Sequence, residues 1–248
     1  MAKLNFVSKN IKDQIYRDLS YLEASSQFDL IQKHRVFHNL RVEADKQSVA
    51  IELTNGNKAG KGRSKKIALE NLEMAREALF PNCQRELEEP NVKVAAALVN
   101  NYQSGEIGYR NATARTVNHS TEPLVYPSPG RIPSEMYYFF EGNRSLEDPI
   151  EKAIHAHFHI TRIHPFTDGN GRLARLAQNS LLDFARLPPI IINPFDRSEY
   201  MDLIQAAQKS YRENNGQMKP EQSTFFNYLA LKLRDSLVET GKQVSSKK

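Results

Sequence analysis

Nine consecutive residues, His164-Pro165-Phe166-Thr167-Asp168-Gly169-Asn170-Gly171-Arg172, with Arg175 just beyond, concentrate groups that can handle phosphate. Gly169 and Gly171 lack a Cβ, so the backbone can turn tightly and bring its N–H groups against an oxyanion. From Asn170 onward helix formers dominate, with Leu173, Leu176, Ala177 and Leu181 at helical spacing. The glycines therefore sit at a helix N-terminus, where unpaired N–H groups and the macrodipole favour phosphate. Arg172 and Arg175 fall in the first turn on roughly one side, and their planar forks can clamp phosphate oxygens. Asp168 is a hard oxygen ligand beside this nest, and magnesium usually takes one or two carboxylates plus phosphate oxygens. His164 supplies an imidazole, the side chain best suited to general base work near neutral pH. Together these are parts for holding a nucleoside triphosphate and transferring one of its phosphoryl groups.

The run HPFTDGNGR resembles the signature of the Fic family, HxFx(D/E)GNGR, and Arg175 matches the second arginine that follows it. The resemblance implies an all-α Fic fold, a helical bundle with a short β-hairpin flap. It implies ATP as substrate, Mg2+ as cofactor, and transfer of AMP to a hydroxyl side chain of a target protein. By the same resemblance His164 would deprotonate the attacking hydroxyl and Asp168 would hold the magnesium. Gly169, Asn170 and Gly171 would bind the α- and β-phosphates, and Arg172 and Arg175 the β- and γ-phosphates. Phosphorylating relatives carry alanine and lysine where this chain has Gly169 and Gly171, so the two glycines favour nucleotidyl transfer. Ala156-His157-Phe158 matches the helix that precedes the loop in the family. Gly108-Tyr109-Arg110 and the segment running to Tyr126-Pro127 resemble the flap and the proline-containing stretch after it. In the family the flap takes a target peptide as an added strand. The resemblance covers about residues 95–215.

Ser48-Val49-Ala50-Ile51-Glu52 fits five positions of the family's inhibitory pattern, (S/T)xxxE(G/N), and Leu53 departs from the sixth. The resemblance implies that Glu52 pairs with Arg175 and occupies the charge-assisted site a phosphate needs. Residues 25–29, SSQFD, are a poorer fit. Two alternatives stand beside restrained AMP transfer. If Glu52 positions water, the site removes AMP by hydrolysis; if the chemistry is vestigial or self-directed, the chain is a nucleotide-binding interaction module. Self-modification and a homo-oligomer are compatible with either enzyme.

The elements that must position these groups read mostly as helix. Apolar residues recur at three-to-four spacing in 9–25, 66–80, 92–103, 148–163, 172–187, 199–214 and 222–240. Short strands are expected around residues 36–52 and in the flap, with punctuation at NGNKAGKGRSK, PNCQRELEEPN, YPSPGRIPS and RLPPIIINPFDRS. This gives an N-terminal helical region over 1–92, a catalytic core over 93–215 and a C-terminal helix and tail over 216–248. Gly56-Asn57-Lys58-Ala59-Gly60-Lys61 is one residue short of a P-loop and is followed by Gly62 where Ser or Thr would hold magnesium, so it reads as a basic loop. His155 and His159 could ligate a metal from one helix face, yet no third ligand follows at convincing spacing, and packing beneath the loop is the expected role.

With 40% apolar residues among 248, the chain can bury one substantial core with a helical extension. No apolar run is long enough to span a bilayer and no secretory leader is evident. The lone Cys83 cannot form an internal disulfide and fits a reducing compartment, hence a cytoplasmic expectation. A net charge of +5 suits polyanions such as nucleotides; nothing specific supports nucleic acid.

Overall fold

The computed structural model describes residues 6–24, 30–53, 63–101, 108–116, 124–216 and 219–245. Among them are nine α-helices: α1 (Lys9–Ala24), α2 (Leu30–Leu53), α3 (Arg63–Leu79), α4 (Glu89–Val99), α5 (Ile132–Arg144), α6 (Pro149–Ile163), α7 (Asn170–Phe184), α8 (Arg197–Glu213) and α9 (Pro220–Ser245). One antiparallel ribbon joins β1 (Arg115–Thr116) to β2 (Leu124–Val125), with Arg115 opposite Val125 and Thr116 opposite Leu124. The chain is thus all-helical with a short hairpin, as expected.

Two elements differ from the sequence expectation. The strand expected within 36–52 is absent, because α2 runs through it. Val36, Val42, Val49 and Ile51 favour strand locally, but Val36, Phe37, Leu40, Ala44, Ser48 and Ile51 are buried at three-to-four spacing, and tertiary burial overrides propensity. Helix α5 went unforeseen because its run of Tyr and Phe and its Gly142 resemble strand or loop. Its burial is helical: Met136, Phe139, Phe140 and Asn143 are inside, whereas Tyr137 and Tyr138 are 60% and 71% exposed. The basic GNKAGK stretch and residues 25–29 lie outside the described residues.

The chain divides into two compact units, Met1–Ile51 with Leu182–Lys248, and Glu52–Leu181. In the first, α9 packs on α1 and α8. Ser8 caps α1 through its Oγ, which accepts the Ile11 N–H at 3.4 Å, and its own N–H donates to Asn227 Oδ1 at 2.8 Å. Arg234 reaches Asp18 at 2.8 Å, and Phe6 meets Phe226 edge-on at 5.7 Å. Ile191 packs on the Val36, Phe37 and Leu40 cluster of α2.

The second unit holds the signature. Helix α6 is buried nearly all round, which makes it the central helix there. Asp148 caps it, accepting the Ile150 and Glu151 N–H groups at 2.9 and 3.1 Å, and Pro149 takes a first-turn position that needs no donor. Helix α5 lies against it: Asn143 Nδ2 donates to Lys152 O at 2.8 Å, and Arg162 pairs with Glu135 at 2.9 Å. His155 and His159 pack under α5, each ring within 6.0 Å of Phe139. Among the described residues no three His, Cys, Asp or Glu side chains gather to hold a metal. Likewise, no described helix is long and apolar enough to cross a membrane.

His157 is fully buried and donates from Nδ1 to Gln178 Oε1 at 2.7 Å, tying α6 to α7. Burial pulls its pKa from 6.5 to about 3, the Arg175 charge adds to this, and the Gln178 hydrogen bond opposes it. Below pH 6.5 the unfolded chain therefore takes up a proton that the folded chain refuses, so acid destabilises the fold. Urea unfolding between pH 6.5 and 4 should show wild-type stability falling as pH drops. His157→Gln should flatten that slope by up to ~1.4 kcal/mol per pH unit, the worth of one proton.

Candidate active site

Helix α6 must stop at the candidate base. His164 takes the left-handed conformation (φ 51°, ψ 56°) at its C-terminus while its N–H still donates to Ile160 O at 3.0 Å. Such a conformation is unfavourable for a residue with a Cβ, by about 1 kcal/mol or more, and persists only where surroundings impose it. Arg110 imposes it. This buried guanidinium donates from Nε to His164 O at 2.7 Å, from Nη1 to Ala112 O at 2.7 Å and from Nη2 to Pro127 O at 2.6 Å. The Arg110 N–H donates to Pro165 O at 2.8 Å. Burial lowers the proton affinity of this guanidinium, and the carbonyl dipoles around it provide the compensating hydrogen bonds. Ala112 and Pro127 flank the hairpin, so one side chain ties both arms of the ribbon to the backbone of His164.

The loop after His164 is braced from within. Asn170, 1% exposed, accepts the Phe166 N–H at Oδ1 (3.0 Å) and donates from Nδ2 to Phe166 O (2.7 Å). Its side chain is thereby committed to closing the loop, which leaves the backbone N–H groups of Asn170 and Gly171 to face an anion, while that of Gly169 donates to Asp168 Oδ1. Those backbone groups open α7, whose first turn has N–H groups without intrahelical partners.

Gly169 has φ +74°, and a Cβ there would lie 2.4 Å from Asn100 Oδ1 and 2.9 Å from Val99 Cγ1. The end of α4 thus presses on the loop. Asn100 Nδ2 donates to Asp168 O at 2.7 Å, Arg172 Nη1 donates to Val99 O at 2.9 Å, and Arg172 Nη2 lies 3.2 Å from Asn100 Oδ1. Arg172 also approaches Asp168 Oδ2 at 3.4 Å, while its Nε is buried with no hydrogen-bond partner among the described residues. A phosphate on Arg172 would share or replace these contacts. Arg175 is 5% exposed and near enough to His157 to depress its pKa. Asp168 is 77% exposed, with Oδ1 accepting the Gly169 N–H at 2.6 Å. A lone, accessible carboxylate beside an anion nest fits magnesium, which completes its shell with phosphate oxygens and water.

The structure thus brings His164, Asp168, Gly169, Asn170, Gly171, Arg172 and Arg175 onto one loop and the helix it starts. Ser48 is buried within α2 and Glu52 lies in its last turn; the side chain of Glu52 is outside the described residues. Sequence reasoning missed the bracing roles of Asn100 and Arg110, whose partners are distant along the chain. It also gave no role to Tyr126, whose ring stacks on His164.

Residues 92–182 match the Fic/DOC family. This stretch is a Fic domain. Over 100 residues the chain is 39% identical to the protein adenylyltransferase Fic of Aedes aegypti, covering 39% of this chain and 19% of that protein. With the protein of the same name from Nematostella vectensis it shares 38% identity over 100 residues, 39% of this chain and 22% of that one. The chain therefore spans about a fifth of the length of these curated relatives. Among solved structures, a Fic domain containing signaling protein from Bacteroides thetaiotaomicron superposes with TM-score 0.77 at 22% identity, over 97% of this chain and 98% of that one. A Fic family protein from Desulfovibrio desulfuricans gives 0.71 at 20% identity, over 94% and 74%. The fold is the Fic fold, and the hairpin of β1 and β2 falls inside the Fic domain.

Two stability comparisons test the bracing of the Fic loop. Gly169→Ala must adopt an unfavourable φ and displace Asn100, so chemical denaturation should show a loss of about 2 kcal/mol or more, whereas Gly130→Ala, with open space around it, should change stability by under ~0.5 kcal/mol. Arg110→Ala leaves buried carbonyls unpaired and should cost about 2–4 kcal/mol; Arg110→Lys, a point donor in place of a fork, should recover less than half.

Proposed function

We propose that the protein is an adenylyltransferase that moves AMP from ATP to a hydroxyl side chain of a target protein. The observation carrying this reading is the loop itself: a histidine ends one helix, an anion-ready N-terminus opens the next, and the two are internally bracketed. The names of the curated relatives support the same chemistry.

His164 takes the proton of the acceptor hydroxyl as its oxygen bonds to the α-phosphorus. The bond from that phosphorus to the bridging oxygen of the β-phosphate breaks, and pyrophosphate leaves. The N–H groups at Asn170 and Gly171 bind the phosphate oxygens, joined by that of Gly169 once it releases Asp168 Oδ1, and Arg172 and Arg175 add positive charge alongside. Asp168 would hold magnesium, which when bound neutralises phosphate charge. The exposed β2 residue Val125 lies on the hairpin where an acceptor peptide can add as a strand. The chain would work in the cytoplasm, in keeping with its single cysteine.

Restraint of this activity by Glu52 belongs to the same proposal. Its support is the Ser48-to-Glu52 pattern, carried on one helix, and the presence of Arg175 as a cation a carboxylate can occupy.

Incorporation of α-labelled ATP into lysate protein, with magnesium, tests both parts. Labelling should rise at least tenfold with Glu52→Gly and vanish with Glu52→Gly combined with His164→Ala. Label on the chain itself would identify self-modification. Loss of AMP from pre-labelled protein that requires Glu52 would instead make the site a hydrolase, and ATP binding without transfer by any variant would leave a binding module.

A further inference from the structure

Tyr126 follows β2 directly and stands outside the signature, yet its ring lies on the His164 imidazole with centroids 4.0 Å apart and planes 18° from parallel. Its backbone is held on both sides. The Tyr126 N–H donates to Ala114 O at 3.2 Å, and the carbonyl of the next residue, Pro127, accepts from Arg110 at 2.6 Å. The ring is therefore mounted on a fixed stretch of chain at the foot of the hairpin.

The backbone of His164 is fully specified by its left-handed φ, its N–H to Ile160 and its carbonyl to Arg110. Backbone contacts do not by themselves set side-chain torsions, and the outer torsion of a histidine is broad and only roughly two-fold. A base must bring its nitrogen within about 2.6–3.2 Å of the proton it removes, and a misplacement of ~1 Å can cost about a hundredfold in rate. A flat ring at stacking distance restricts that rotation and covers one face of the imidazole.

We propose that Tyr126 is a positioning residue for His164, acting by stacking: it holds the plane of the imidazole without itself touching substrate. This rests on the reading of His164 as the base. Stacking requires an aromatic face and no hydroxyl, so phenylalanine should replace tyrosine, while leucine, which fills similar volume without a plane, should not.

The 248-residue chain as wild type, Tyr126→Phe and Tyr126→Leu decides the matter by two readouts. The first is modification of His164 by diethyl pyrocarbonate, followed by mass spectrometry with exposed His34 as internal reference. Tyr126→Leu should raise the relative rate at His164 several-fold, and Tyr126→Phe should leave it within about twofold. The second is AMP transfer in the Glu52→Gly background, where Tyr126→Leu should lower kcat about tenfold or more with KM for ATP unchanged, and Tyr126→Phe should restore it. An unchanged His164 modification rate in folded Tyr126→Leu overturns the proposal, as does a Tyr126→Phe variant as impaired as Tyr126→Leu. If Tyr126→Leu does not fold, Tyr126→Ile, β-branched and suited to a strand end, takes its place. Should no protein transfer AMP at all, the reading of function fails, while the modification rates still report whether Tyr126 restrains the ring.

Discussion

Everything at the candidate site depends on where α6 stops. A helix that continued past Ile163 would carry the imidazole round its axis and push the α7 N-terminus away. The stop is made by a left-handed residue that has a Cβ, at a position that proline follows and where glycine would be easier. Such a conformation is kept because Arg110 takes the His164 carbonyl that a frayed helix end would leave to water and anchors it to the carbonyls of Ala112 and Pro127 beside the hairpin. The bracket between Asn170 and Phe166 then returns the chain at once into a new helix. The candidate base and the anion-ready turn are thus set by two helix ends and the hydrogen bonds that close them.

The histidines of α6 divide sharply by use. His155 and His157 are buried, and burial holds each near a pKa of about 3, with Arg162 and Arg175 respectively adding to the effect; His159 is pushed well below 6.5 by the same burial and by His155 and Arg162. Neutral imidazole here acts as a flat packing unit with a single hydrogen bond to offer, and guanidinium groups can sit close because there is no like charge to oppose them. His164, one turn further on, stands at the helix end instead of inside it, partly open and faced by an aromatic ring. The same residue type serves as core in one turn and as candidate base in the next, purely through where the helix terminates.

The signature was legible because its chemistry is local: glycines, carboxylate, arginines and histidine lie within one loop and one helical turn, and spacing alone brings them together. The seven helices with clear three-to-four spacing were legible for the same reason. Helix α2 was not, since its β-branched residues speak for strand and only the packing of Val36, Phe37 and Leu40 decides otherwise. Helix α5 hid behind adjacent aromatics, of which Tyr137 and Tyr138 face out and Phe139 and Phe140 face in. The bracing by Arg110 and Asn100 has no local pattern, since each donates to a backbone carbonyl more than fifty residues away, and a carbonyl leaves no mark in a sequence. Asn170 shows the converse, a residue in plain view in the signature whose side chain is spent on closing its own loop.

The contact between Gly169 and Asn100 makes these two positions a joint choice. A methyl group at 169 could be admitted only in a chain whose residue 100 is shorter and whose Val99 side chain shifts, and it would still meet an unfavourable φ. Shortening residue 100, however, takes the donor from the Asp168 carbonyl and the Oδ1 acceptor from Arg172. Drift at either site is therefore conditional on the other and carries a penalty at two further residues. The glycine of the loop is inherited together with the residue that caps the end of α4.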